Sequence, residues 1–163
     1  MKSTKTVLAV AIVIAVVPSC SMPASEPAPS TPLPQGVFST TDDCEFRTTS
    51  PSGVQTTETQ TLSITFEING RGVPIVLGEE IAVGRTVELE GIQVTYTRIK
   101  ATSNGVVIHS TITGSVNNIS FTGTGIVTFS ATDASAIQYD ITLTSTDSNG
   151  FVTNSGCTFI LVP

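Results

Sequence analysis

The chain predicts an all-β domain: an antiparallel meander of about eight strands, forming a small up-and-down barrel or a barrel-like sandwich. Two observations carry this reading. Apolar residues alternate at a period of two, and turn-forming clusters separate the alternating runs. A helical repeat at three and four residues is nearly absent.

Eight strands are predicted at roughly 37–48, 54–69, 85–90, 92–101, 105–113, 118–131, 135–146 and 151–162, with a short additional segment at 73–77, third in chain order. In the first, Phe38, Cys44 and Phe46 share a face. In the second, Leu62, Ile64, Phe66 and Ile68 oppose Ser63, Thr65 and Glu67. Such alternation describes an antiparallel strand with one buried face. Between Leu89 and Ile92 the inward phase changes from odd to even positions, so Glu90-Gly91 marks a bulge or a tight hairpin. Ile119, Phe121, Val127 and Phe129 are in phase with one another, and Gly123 and Gly125 interrupt that row. Missing side chains at those positions allow a sharp bend or a close neighbouring backbone. Ile137, Tyr139, Ile141 and Leu143 oppose Gln138, Asp140 and Thr142. In the last strand Phe151, Cys157, Phe159 and Leu161 are expected on the core side. Turn signals fall at Ser50-Pro51-Ser52-Gly53, Asn69-Gly70, Asn104-Gly105, Thr132-Asp133-Ala134-Ser135 and Asp147-Ser148-Asn149-Gly150.

Ahead of this domain, Lys2 and Lys5 precede an apolar run from Val7 to Val17. A charged start followed by so short a run reads as an export signal, since a bilayer-spanning helix needs about 20 apolar residues. The run ends at Val17-Pro18-Ser19-Cys20, which resembles the lipobox of bacterial lipoproteins: a branched apolar residue three places before a cysteine and a small residue just before it. Pro18 departs from the usual middle residue. The resemblance covers this segment alone and implies removal of residues 1–19 and acylation of Cys20 with two or three chains, enough for a stable anchor where a single chain is not. Cleavage after Ser21 is the alternative and leaves a soluble secreted domain.

With Cys20 assigned to lipid by that resemblance, Cys44 and Cys157 remain as a pair in a compartment where disulfides persist. Their strands are the first and the last, which become neighbours in a closed barrel and can meet in a sandwich. Residues 20–35 contain Pro23, Pro27, Pro29, Pro32 and Pro34 and read as an extended tether, about 45 Å long if fully in polyproline II. Residues 36–163 form the all-β domain.

Charge narrows the partners. After signal removal, five basic residues (Arg47, Arg71, Arg85, Arg98, Lys100) face thirteen acidic ones, a net of 5 − 13 = −8. That balance argues against a nucleic-acid or anionic-lipid surface.

Chemistry-bearing groups are sparse. His109 is the single histidine and lies on the face of Val107 and Thr111, opposite Val106, Ile108 and Ile112. A hydrolytic triad would need it, with Asp140 as a companion, yet no serine has a G-x-S-x-G surrounding. Asp42, Asp43 and Glu45 lie around Cys44, and Glu79 and Glu80 precede Ile81. A calcium site at Asp42 and Asp43 needs further converging oxygens. Asp147-Ser148-Asn149-Gly150 lacks the repeated ligands and terminal Glu of an EF-hand and reads as a turn. No cofactor and no metal ligand set is expected, and no enzyme activity.

The expected function is that of an exported, lipid-anchored envelope protein acting as a non-enzymatic binding or structural module. Its partners are the membrane, through the anchor, and a protein or envelope component; its location is the outer membrane or the cell surface. A β-barrel carrier of a small apolar ligand, lined by inward Phe, Tyr96 and Tyr139, ranks second. Barrels of this size are usually filled by their own side chains.

Overall fold

Alternation becomes strand along nearly the whole domain. The computed structural model describes residues 26–27, 31–89, 91–133 and 135–163. The export signal, Cys20 and Pro23 lie outside the described residues. Among the described residues twelve strands follow in order: β1 (Glu26–Pro27), β2 (Gly36–Thr49), β3 (Gln55–Ile68), β4 (Pro74–Val76), β5 (Glu79–Glu80), β6 (Ala82–Val83), β7 (Thr86–Leu89), β8 (Ile92–Ala101), β9 (Gly105–Val116), β10 (Ile119–Ala131), β11 (Ile137–Asp147) and β12 (Val152–Leu161). Among the described residues no helix is long and apolar enough to cross a membrane.

Ten of these strands form one antiparallel sheet in the order β5-β4-β3-β2-β12-β11-β10-β9-β8-β7. Every neighbour is the next strand in sequence except at β2 and β12, where the first long strand meets the last. The order is therefore that of an up-and-down barrel, interrupted between β5 and β7. The connecting chain spans that seam: Ile81 N–H donates to Pro74 O at 3.2 Å, Gly84 N–H to Tyr96 O at 2.7 Å, and Tyr96 N–H to Arg85 O at 2.9 Å. The result is a curled, barrel-like sheet. β1 pairs with β6 in a separate two-stranded ribbon.

One end of the sheet holds the start of β2 and the C-terminus; the other holds the turns 50–54, 117–118 and 148–151. The main core lies towards the first end and includes Phe38, Phe66, Ile68, Val106, Phe129, Ile137, Tyr139, Phe159 and Leu161. A smaller cluster of Ile112, Phe121 and Leu143 fills the second end. In the register rows of Ile112 and Leu143, small residues line the inner face: buried Ser110, Ser145 and Ser155, with Gly123 and Gly125.

The glycines are where backbones approach. A Cβ on Gly123 would sit 2.4 Å from Thr144 O, and one on Gly125 would sit 2.9 Å from Ser110 Oγ. Sheet curvature here depends on the missing side chains.

Residues 89 and 92 pair directly, so of the bulge and the tight hairpin expected at this phase change the structure has the hairpin, with Gly91 at φ 80°. Other local features differ from the sequence reading. A bulge does occur, but in β8, where the register shifts between Tyr96 and Arg98. It returns Ile99 to the inner face opposite Ile108. Asn117 and Asn118, both at positive φ (52° and 64°), make the tight turn between β9 and β10, a conformation that asparagine tolerates. Phe151 is a correction: it is 39% exposed, in the turn before β12 rather than on the core side. Its N–H and that of Asn149 are drawn to Asp147 Oδ1 (2.9 and 2.8 Å), which places Phe151 in the turn rather than the ladder.

The chain ahead of β2 also contributes. Leu33 is buried in the main core, Thr31 N–H donates to Arg71 O at 2.9 Å, and Thr31 Oγ1 donates to Gly72 O. Ordered packing thus begins on the N-terminal side of Gly36.

Candidate functional site

Cys44 and Cys157 form a disulfide with a Cα–Cα distance of 5.5 Å and a sequence separation of 113. The geometry is set by register. Phe46 pairs with Ser155 and Ser39 bridges Val162, so the residue opposite Cys44 is Cys157. No ladder bond is formed between those two points, and the disulfide ties the strands together inside that gap. Cys44 is buried and Cys157 half-buried against the main core.

The titratable groups weighed for catalysis do not converge. His109 is half-buried on the outer face of β9 and lies opposite Ile126. Asp140 lies on β11 opposite Thr128. Two strand spacings, or about 10 Å, therefore separate their rows, before a further offset of two residues along the strand. Asp140 is instead occupied by Thr158 Oγ1 at 2.6 Å and by Gln138 Nε2 at 2.9 Å. No triad forms from these two residues.

The acidic groups weighed as cation ligands are engaged locally. Asp43 Oδ1 accepts from Thr61 Oγ1 at 2.6 Å, Asp42 Oδ1 from the N–H of Asp43 at 2.8 Å, and Glu45 pairs with Arg47 at 2.6 Å on the exposed surface. Glu79 pairs with Arg85, and Glu80 with Arg71 and Asn69. Arg85 also donates to Glu80 O at 2.9 Å. These pairs fix the short strands at the seam. Asp133 is exposed and held below the usual carboxylate range by hydrogen bonds from Ser135, first its backbone N–H and then its hydroxyl. Among the described residues no three His, Cys, Asp or Glu side chains are grouped so as to hold a metal ion.

The interior is an aromatic stack. Phe66 meets Phe129 edge-on at 4.8 Å, Tyr139 lies 5.0 Å from both rings, and Phe159 is 6.0 Å from Tyr139. Burial pushes the Tyr96 phenol up to about 12, partly offset by the nearby Arg85 charge. Tyr139 is raised further by burial, with the Tyr96 phenol adding to it. Both rings therefore stay neutral well above neutral pH.

The outer face is regular and hydroxyl-rich. Thr95, Thr111, Thr124 and Thr144 stand in one row across β8 to β11, and Gln93, Thr113, Thr122 and Thr146 stand in the next. Apart from Thr95, these residues are exposed. The alignment of these threonines into rows is set by the strand register.

Comparison with protein-family models, curated proteins and solved structures finds no match for this chain.

Proposed function

We propose that this chain is an exported, lipid-anchored envelope protein whose β domain acts as a non-enzymatic binding or structural module. The main support is the stacked interior: Phe66, Phe129, Tyr139 and Phe159 occupy the space that a carried ligand would need. The separation of His109 from Asp140 supports the non-enzymatic part. Recognition then falls to the outer surface, where hydroxyl rows and few charges offer hydrogen bonds at strand spacing. Attachment through Cys20 rests on the resemblance of residues 17–20 to a lipobox.

Native mass spectrometry of the protein from its own membrane fraction tests this reading. The expected result is an acylated N-terminus at Cys20, one intact disulfide and no retained small molecule. A retained apolar molecule would replace the module with a carrier. An unmodified N-terminus beyond Cys20 would make the domain a soluble secreted one.

A further inference from the structure

Both terminal strands of the ten-stranded sheet are short and charged. At one end β7 is four residues long and carries Glu88. At the other end β5 is two residues long, Glu79-Glu80, and both acids are ion-paired. Short, charged edge strands of this kind resist pairing with another chain.

β3 is not covered in that way. Of its 14 residues only Glu67 and Ile68 pair with β4, which leaves twelve, Gln55–Phe66, with no strand on that side among the described residues. This stretch contains no Lys, Arg, Pro or Gly, its pairing with β2 continues without a register shift, and Glu58 is its single charge. Thr57, Thr59, Thr61, Ser63 and Thr65 are all exposed.

We infer that the free edge of β3, Gln55–Phe66, pairs antiparallel with the same edge of a second copy of this chain, making a two-fold dimer with a continuous sheet. The occupant is specified by self-complementarity. From Thr57 to Thr65 the outward row of the edge is made of hydroxyls, and this chain already matches hydroxyl to hydroxyl across its strands: Thr41 with Ser63 at 3.0 Å, Thr48 with Thr153 at 3.0 Å, and Thr86 with Thr95 at 2.7 Å. Hydroxyl pairs of this type are favourable cross-strand neighbours, whereas like charges directly opposite are not. An antiparallel register centred on Gln60 sets Glu58 against Leu62 of the partner subunit and keeps the two Glu58 carboxylates about four residues apart, roughly 14 Å. Main-chain hydrogen bonds along the edge supply the attraction. The dimer needs neither acylation at Cys20 nor an outside partner, so it stands or falls separately from the envelope-module reading.

Sedimentation of the full chain in density-matched detergent across a concentration series tests the proposal. The expected mass is twice that of one chain, falling to a single chain in the Thr59→Lys/Thr61→Lys variant, whose far-ultraviolet circular dichroism stays that of the folded parent. A monomeric parent at every concentration overturns the proposal, as does a dimer that the two lysines leave intact. Amide hydrogen exchange on the unmodified chain gives an independent readout. Protection within residues 55–66 should rise with concentration, and concentration-independent exchange there overturns the proposal without recourse to any variant.

Discussion

Phe66 on β3 meets Phe129 on β10 edge-on, with ring centroids 4.8 Å apart, although three strands lie between theirs in the sheet order. A flat sheet would hold those strands some 19 Å apart at the usual spacing, so this contact records how far the sheet has curled. The pair closes the core across the interior. Phe66→Ala should therefore cost about 3–5 kcal/mol, the range for truncating a buried aromatic, while Phe66→Leu should cost less. Urea unfolding of the three proteins checks the order.

The disulfide should matter more than its single contact suggests. Cross-linking residues 113 apart removes loop-closure entropy from the unfolded chain, worth about 4–5 kcal/mol in the chain-entropy model. Reduction, or the Cys44→Ala/Cys157→Ala double substitution, is expected to lower the melting temperature strongly. Thermal melts with and without reductant measure this, and an unchanged midpoint would contradict it.

Both tyrosines of the chain are buried, and this sets an alkaline limit on stability. The folded Tyr96 phenol titrates near 12 against an ordinary 10.0. Between those values the native state binds more protons than the unfolded one, so stability is full below pH 10 and declines as pH rises through 12. The loss from Tyr96 is about 3 kcal/mol, and Tyr139 adds to it in the same direction. Phenolate absorbance should stay low in the folded protein up to the pH at which it unfolds. Tyr96→Phe should flatten the alkaline fall of stability measured by denaturant titration.

Three glycines separate close approach from open space. A Cβ at Gly105 would lie 1.8 Å from Phe129 O and one at Gly123 would lie 2.4 Å from Thr144 O, whereas nothing lies within 4 Å of one at Gly156. Gly105→Ala and Gly123→Ala should each destabilise by about 1–3 kcal/mol or more, through the backbone shifts that overpacking forces. Gly156→Ala should be neutral or slightly stabilising, because it restricts the unfolded chain at no steric cost. Chemical denaturation midpoints distinguish the two groups.

Leu33 offers a test of where the folded unit begins. Its burial in the main core predicts that Leu33→Ala costs about 2–5 kcal/mol, the range for deleting a buried leucine side chain. A purely flexible spacer would tolerate the change, and equilibrium unfolding separates the two outcomes.

By itself, the sequence determined what depends on neighbours along the chain. Alternation at two named the strands and their inward rows, Phe38, Cys44 and Phe46 among them, because a pleated backbone sends successive side chains to opposite faces. Turn residues marked most strand ends for the same local reason. The signal and Cys20 are likewise legible only as sequence, and they lie outside the described residues. Tertiary structure decided what depends on residues far apart: the bulge after Tyr96, which flips the inward phase within a run that reads as continuous; the seam held by Arg71, Arg85, Glu79 and Glu80; the alignment of threonines into rows; and the burial of Leu33 in a segment whose prolines suggest only a spacer. Phe151 shows the limit most plainly. Its phase matches the core face, yet the Asp147 carboxylate captures its backbone N–H and ends the turn one residue later, a competition between a side-chain acceptor and the ladder that alternation does not encode.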